Sequence, residues 1–449
     1  MIKDNRILFF LLLIIGVALT SVYFFPFEFK FIRGINTKKI MAALGLVVLG
    51  LRLAQGKGPG NGMVQKDFFW LSVYAVIVSL ASLFSVVVNG TPDYAYASYI
   101  MSFWVWIGGA YAVCRYINWL HGKLSIPLVG NYLVAVVVFQ CVMALWMDLN
   151  PTVKDFVDTY IEQGQDFLNS SKVHRMYGIG ASLDVAGIRF SCVLIIIAYL
   201  ICCLEKTRDR KYLPFYLLSF AIITVIGNMI ARTTTVGVGI GLAYIFFSSW
   251  ERGLKISWKA QRVWKWIAMT LIIAIPLSVY YYNNDETMRK HIRFAFEGFF
   301  AMVEKGKWET ASNNTLEGMI VFPETMKTWI MGDGYFDNPI ITDPYFIGKF
   351  IGGYYMGTDI GYLRFIFYFG LIGLLAFSNF FWQACKVCYQ RFKGTTFLFV
   401  MILLCNFIVW LKVATDTFLV FALFLCIGAE ENEEYMKSIA LEQEEDKQE

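Results

Sequence analysis

A run of about 20 apolar residues leaves a chain few choices. As a helix it matches the thickness of a bilayer's hydrocarbon core, and it is too apolar to line the surface of a soluble domain. This sequence has twelve such candidate runs, at 7–25, 40–54, 68–88, 99–117, 126–147, 186–204, 212–230, 235–250, 266–282, 360–382, 397–411 and 417–428, of which the second and last are short. Charged residues make up only 16% of the chain, against about 25% in soluble domains, and the mean hydropathy is +0.55. Soluble enzyme classes are excluded. The expectation is an all-α polytopic integral membrane protein of about 12 transmembrane helices over residues 1–429, followed by an acidic tail at 430–449.

The short connections orient these spans. Basic residues gather on the cytoplasmic side of short loops. With the N-terminus inside, the inner connections hold 19 lysines and arginines and the outer short ones hold 6, Lys30, Arg33, Lys38, Lys39, Arg232 and Lys412 among them. Both termini are therefore expected in the cytoplasm. The tail carries nine acidic residues and two lysines, so the rest of the chain is near +12, a balance suited to anionic lipid and anionic substrates. None of the nine cysteines falls in a segment expected outside, which argues against a disulfide framework. The lone Cys385-x-x-Cys388 has no second pair to complete a metal site.

Two outer loops are long, 148–185 and 283–359, and both are rich in aromatics. Disordered linkers are poor in these residues, so both loops are expected to form ordered caps. Ile292, Phe296, Phe299, Phe300 and Val303 recur at helical spacing, with Arg289, Lys290 and Arg293 interleaved. That pattern fits either a helix at headgroup level or one packed on the bundle. Nucleotide-loop and metalloprotease motifs are absent. The glycine-rich stretch 56–62 lacks a strand-to-helix context and reads as an inner loop. Gly237 and Gly241 form a G-x-x-x-G that signals close helix contact.

The chemistry is expected where charge enters the membrane. Arg189 and Arg364 lie about a turn inside their spans, and Arg232 sits in an outer turn. Arginine at such depth is costly unless paired or hydrated, which makes each a functional candidate. Asp184-Val-Ala-Gly-Ile-Arg189-Phe190 and Asp359-Ile-Gly-Tyr-Leu-Arg364-Phe365 share one pattern, an aspartate at the helix start and an arginine five residues on. The aspartates also fit a plain N-cap role. These two helices and the one after Arg232 direct their N-termini outward, where the backbone favours anions. Arginine's planar fork suits phosphate oxygens. Arg189, Arg232 and Arg364, with Arg175 and His174 nearby in sequence, are therefore expected to cradle a diphosphate.

Three segments carry a family resemblance: Arg175-Met-Tyr-Gly178; Ala231-Arg232-Thr233-Thr234; and Trp329-Ile-Met-Gly332-Asp-Gly334-Tyr335 followed by Thr358-Asp359-Ile-Gly-Tyr362-Leu through Gly370-Leu-Ile-Gly373. In order and spacing, over roughly 172–373, the sequence resembles the Wzy-type O-antigen and capsular polysaccharide polymerases. The resemblance implies a GT-C-like membrane glycosyltransferase of the bacterial inner membrane. Such an enzyme moves a growing glycan from an undecaprenyl diphosphate carrier onto a second lipid-linked repeat unit at the outer face. It also implies no metal and no cofactor, no nucleic acid, and a chain-length regulator and a flippase as partners. Arg175 and Arg232 match the family's loop arginines, and Arg289 and Arg293 match its second loop loosely. Arg175 has no glycine at the distance some relatives show. Departure of the lipid diphosphate places negative charge on phosphate oxygens, which preorganised arginines stabilise. Asp359 is the first candidate base, Asp184 the second and Asp333 a third, and Tyr362 is expected to line the diphosphate site.

Two other readings stay open. An O-antigen ligase shares the plan but places a histidine just before the segment matching Asp359, where this chain has Thr358; His291 lies far upstream. A lipid-linked oligosaccharide flippase would favour midplane charges and repeat symmetry, and no clear repeat of the halves is present.

Overall fold

The computed structural model describes residues 5–32, 34–56, 62–162, 175–207, 212–248, 258–339 and 353–433. His174 and most of the acidic tail lie outside the described residues. The chain is a multi-pass, membrane-embedded helical protein. Its first helices are α1 (Arg6–Phe24), α2 (Thr37–Ala54), α3 (Gly62–Asn89), α4 (Tyr99–His121), α5 (Ile126–Leu149) and the short α6 (Pro151–Tyr160). Then come α7 (Leu183–Thr207), α8 (Leu213–Ile230), α9 (Thr234–Ser248) and α10 (Trp258–Asn284). The second long loop carries α11 (Glu286–Ala295), α12 (Glu297–Lys305), α13 (Ala311–Glu317) and α14 (Met326–Met331), before α15 (Gly361–Arg391), α16 (Thr396–Val409) and α17 (Phe418–Leu425). One strand pair, β1 (Glu28–Phe29) and β2 (Ile161–Glu162), runs antiparallel with Phe29 opposite Ile161 and ties the exit of α1 to the first long loop.

Seven helices, α1, α3, α4, α5, α7, α8 and α15, are long and apolar enough to cross a membrane. Each of the twelve apolar runs is centred on a helix, the shorter ones including α9 and α16 at 15 and 14 residues and α17 at eight. α17 stops early because Arg391 takes the carbonyls of Leu425 and Ile427 (2.6 and 3.2 Å). Arg391 also pairs with Asp67 at 2.5 Å, so the ends of α15 and α17 and the start of α3 are clamped together. Arg115 and Glu431 (3.5 Å) lie at this same end of the bundle.

α7 is the central post. Residues 186–201 are all buried, as expected of a helix that is apolar all round. Its approach to α9 is set by missing side chains: a Cβ on Gly237 would lie 2.2 Å from Ser191 Cα, and one on Gly187 would lie 2.8 Å from Thr233 Cβ. The G-x-x-x-G reading holds, with Gly241 facing the Leu194 carbonyl. Peripheral helices keep apolar side chains outward, as in Ile272, Ile275 and Leu277 of α10.

α15 is broken at Gly370 (φ 66°, ψ −172°), a conformation open essentially to glycine. A break at depth frees carbonyls that need donors. The Asp333 and Gly334 N–H groups supply them to Phe367 O (2.6 Å) and Tyr368 O (3.1 Å), and the Ser85 hydroxyl adds a second bond to Tyr368 O (2.7 Å). Gly332, also at positive φ, presses against the Tyr368 carbonyl. The segment after α14 is thus seated in the notch of α15.

The helix expected over 292–303 is two helices. The chain breaks at Phe296 (φ −116°, ψ 26°), and Gly298 then passes under the Trp308 ring, 2.6 Å from where its Cβ would be. The two halves differ in burial. On α11, His291, Ile292, Phe294 and Ala295 are buried on the bundle. On α12, Phe299, Met302 and Val303 are exposed.

Candidate functional site

The end of the bundle that carries the two long loops gathers charges from five separate elements. Neither Asp184 nor Asp359, the aspartates of the two matching helix starts, acts as a helix cap. Asp184 sits in the first turn of α7, but its carboxylate accepts from Lys412 Nζ (2.6 Å) and from the Thr233 hydroxyl. Lys412 also donates to Thr233 (3.2 Å). Asp359 precedes α15, whose N-cap position is Ile360. The plain N-cap reading is therefore corrected: Lys412 and Thr233 take the Asp184 carboxylate, and Asp359 stands one residue before the N-cap of α15, 3.7 Å from Arg364 of the same helix.

Backbone contacts fix this arrangement. Gly187 lets the Arg232–Thr233 turn lie against α7. Gly361 lets the start of α15 touch the Trp410–Val413 turn, where any Cβ would lie 2.7 Å from the Val413 carbonyl, and Tyr362 N–H donates to Trp410 O (3.1 Å). Lys412 is carried by that turn, so the two glycines bring Thr233, Lys412 and the Asp359 segment around Asp184.

Arg175 and Arg232 face one aromatic ring. Their guanidinium carbons lie 5.1 and 4.6 Å from the centre of Phe294 on α11, within the range of cation–π attraction. Arg232 is further held by Glu297 and by the Ser312 hydroxyl (2.5 Å). Arg175 has no hydrogen-bond acceptor among the described residues, although it is half-buried. Burial lowers its affinity for its proton, Asp184 restores part of it, and Arg232 opposes.

Asp359 is the counterpart on the acidic side. Burial pushes its carboxyl up to about 6, against the pull of Arg364; nearby Asp184 raises it further, and Lys412 and the Tyr354 hydroxyl lower it. Its Oδ1 is buried without a hydrogen bond. Arg364 lies 3.7 Å away and is only 6% exposed. The two faces of its guanidinium group are covered by Phe336 (3.7 Å) and Tyr354 (4.3 Å). It also bonds Asp337 (2.7 Å) and Phe336 O (3.2 Å). This arginine fastens the 336–337 and 353–354 segments over Asp359 rather than opening toward a ligand, a correction to its place in the expected cradle.

Other expected members lie elsewhere. Arg289 bonds the carbonyls of Tyr282 and Asn283, and Arg293 pairs with Glu304 (2.6 Å), all on the exposed face of α11. Tyr362 donates to Phe407 O (3.0 Å) and packs edge-on against Trp410. Asp333 accepts from Thr328 (2.7 Å) and serves the α14 turn. His291 is buried against Asp148 (2.9 Å). Arg189, also buried, faces Phe25 at 5.6 Å, with Asp416 its principal acidic neighbour. Sequence reasoning missed Lys412, Asp416 and Glu297. Lys412, a single lysine between two apolar runs, was the one readable signal.

Chemically, the assembly offers two half-buried guanidinium groups on one ring, a lysine–aspartate pair beside them, and a carboxyl poised near neutrality. No family model, curated protein or solved structure matches the chain, so the reading of its chemistry rests on its own residues.

Proposed function

We propose that the chain is a membrane glycosyltransferase, a polysaccharide polymerase that joins undecaprenyl-diphosphate-linked repeat units into O-antigen, capsular or exopolysaccharide at the outer face of the bacterial inner membrane. In this reading it has twelve spans, a GT-C-like plan and both termini in the cytoplasm. The observation that carries it is the meeting of Arg175 and Arg232 on Phe294 beside Asp184, with the half-buried Asp359 carboxylate near Asp184 and Lys412.

The reaction follows from those groups. A sugar hydroxyl of the acceptor attacks the anomeric carbon of the donor glycan. The new glycosidic bond forms as the bond from that carbon to the diphosphate breaks. Asp359, ionised above about pH 6, takes the hydroxyl proton. An effective general base titrates near its working pH. The electron pair leaves on the diphosphate oxygens, where Arg175 and Arg232 meet the growing charge in a site of low dielectric. Lys412 holds Asp184 ionised and in place, and Arg364 positions Asp359. The exposed apolar face of α12 suits a substrate that arrives through lipid.

The test is a reconstituted reaction of full-length protein with lipid-linked repeat units. A ladder of products on a gel supports the polymerase. A single addition onto lipid A core would make it a ligase. Movement of the substrate between leaflets without a new bond would make it a flippase.

A further inference from the structure

We propose that Lys38 and Arg189 form a second anion site, separate from the Arg175–Arg232 pair, that takes the phosphate of a lipid headgroup or free phosphate. None of the side chains facing Arg189 faces Arg175 or Arg232.

The site is built rather than incidental. Thr37 exchanges hydrogen bonds with the backbone of Phe27 (2.9 and 3.0 Å), and Asn36 caps α2 through the Lys38 N–H (2.9 Å). The start of α2 is therefore stitched to the exit of α1, which carries Tyr23 and Phe25. Phe25 stands beside the Arg189 guanidinium. Lys38 Nζ lies 4.7 Å above the Trp106 ring, and Trp106 packs edge-on against Tyr23. The rings beside the two cations are apolar, and the two charges lie close enough to act on each other.

Those charges lack an acceptor. Arg189 is 7% exposed, its Nε has no hydrogen-bond partner, and no acceptor among the described residues meets its other N–H groups. A guanidinium group carries five donors, and burying it unpaired is expensive. Asp416 acts on both cations from beyond ion-pair distance, while its Oδ1 accepts from Phe418 N–H (3.2 Å). Tyr23 turns its hydroxyl to Leu419 O (2.8 Å) and makes no hydrogen bond to Arg189. The site holds a net positive charge with open donors. Lys38 and Asp416 keep partial exposure, so it opens at the loop end of the bundle. A phosphate fits this set: its oxygens are acceptors only, and Arg189 presents a fork to them.

In the proposed polymerisation two lipid diphosphates must be present together, and this site holds the second carrier while Arg175 and Arg232 hold the one that departs. That assignment rests on the proposed function; the anion site does not.

The experiment counts bound equivalents of farnesyl diphosphate by native mass spectrometry on full-length protein in phosphatidylcholine nanodiscs. Wild type is expected to bind two. Lys38→Met and Arg189→Gln should each drop to one, with at least about tenfold weaker binding at the lost site, and Arg232→Gln should lose the other. Lys38 is half-buried at a helix start, so its variant keeps the test decisive should Arg189→Gln fail to fold. Displacement of the Lys38-dependent equivalent by inorganic diphosphate assigns the site to the free anion. Displacement only by farnesyl diphosphate or added phosphatidylglycerol assigns it to a lipid headgroup. One equivalent in wild type, or two in a folded Lys38→Met protein, overturns the proposal. Two equivalents with no ladder would sink the polymerase and leave the site standing.

Discussion

Replacing Asp359 by asparagine is expected to stabilise the protein while abolishing its activity. The wild-type carboxyl is shifted from its ordinary 3.8 to about 6. At about 1.4 kcal/mol per pH unit, that is roughly 3 kcal/mol against the ionised form in the folded state. The side chain is only 18% exposed, so water does little to soften the penalty. The sign follows from linkage. A carboxyl whose folded value is raised binds its proton more tightly when folded. Its favourable contribution is complete below about pH 4 and is lost as pH climbs through 6. Asparagine is always neutral, and Asp337 remains to hold Arg364. The variant should therefore match wild type at pH 4 and exceed it at pH 8 by up to about 3 kcal/mol, an upward Tm shift of a few degrees. Tryptophan fluorescence during heating in detergent reads this at each pH. Wild-type elongation should show an acidic limb near pH 6, and the variant should make no ladder. Equal Tm offsets at both pH values, or a fully active variant, would refute the reasoning.

Three further outcomes follow from the packing. Gly237→Val puts a side chain where Ser191 Cα lies 2.2 Å from a Cβ, and should cost about 2 kcal/mol or more and lower Tm markedly, because α7 and α9 must part. Gly370→Ala needs a glycine-only backbone angle and meets Ile330 O; a loss of roughly 2 kcal/mol should release α14 from α15, seen as faster hydrogen exchange at Asp333 and Gly334. Arg293→Ala removes exposed contacts with Glu304, the Tyr282 hydroxyl and the Phe300 ring, worth about 1 kcal/mol, and product length on a gel should stay the same.

Sequence pattern reached local features better than long-range ones. Hydropathy located the helices, since burial in lipid is averaged over about 20 residues. Gly237 was legible because a missing Cβ in a span has few other uses. The paired Asp184 and Asp359 starts lie near enough to act on each other's charge, but their partners were hidden. Lys412 lies 228 residues from Asp184, and no periodicity links residues so far apart. Arg232's partner Glu297 stands in a loop where any carboxylate looks solvated. Arg364 read as a phosphate ligand because depth alone was visible; the Phe336 and Tyr354 rings that enclose it come from another segment. The break at Gly370 was masked by apolar residues on both sides, and it became evident only with the 332–334 segment in its notch.

The most direct measurement is a cryo-electron microscopy map of the full-length protein with a lipid-linked repeat unit bound. The account predicts diphosphate density within hydrogen-bonding reach of Arg175 and Arg232, and the donor's anomeric carbon on the side facing Asp359. Density seated instead on the outward Arg289 and Arg293, with Arg175 and Arg232 still closed on Phe294, would contradict it.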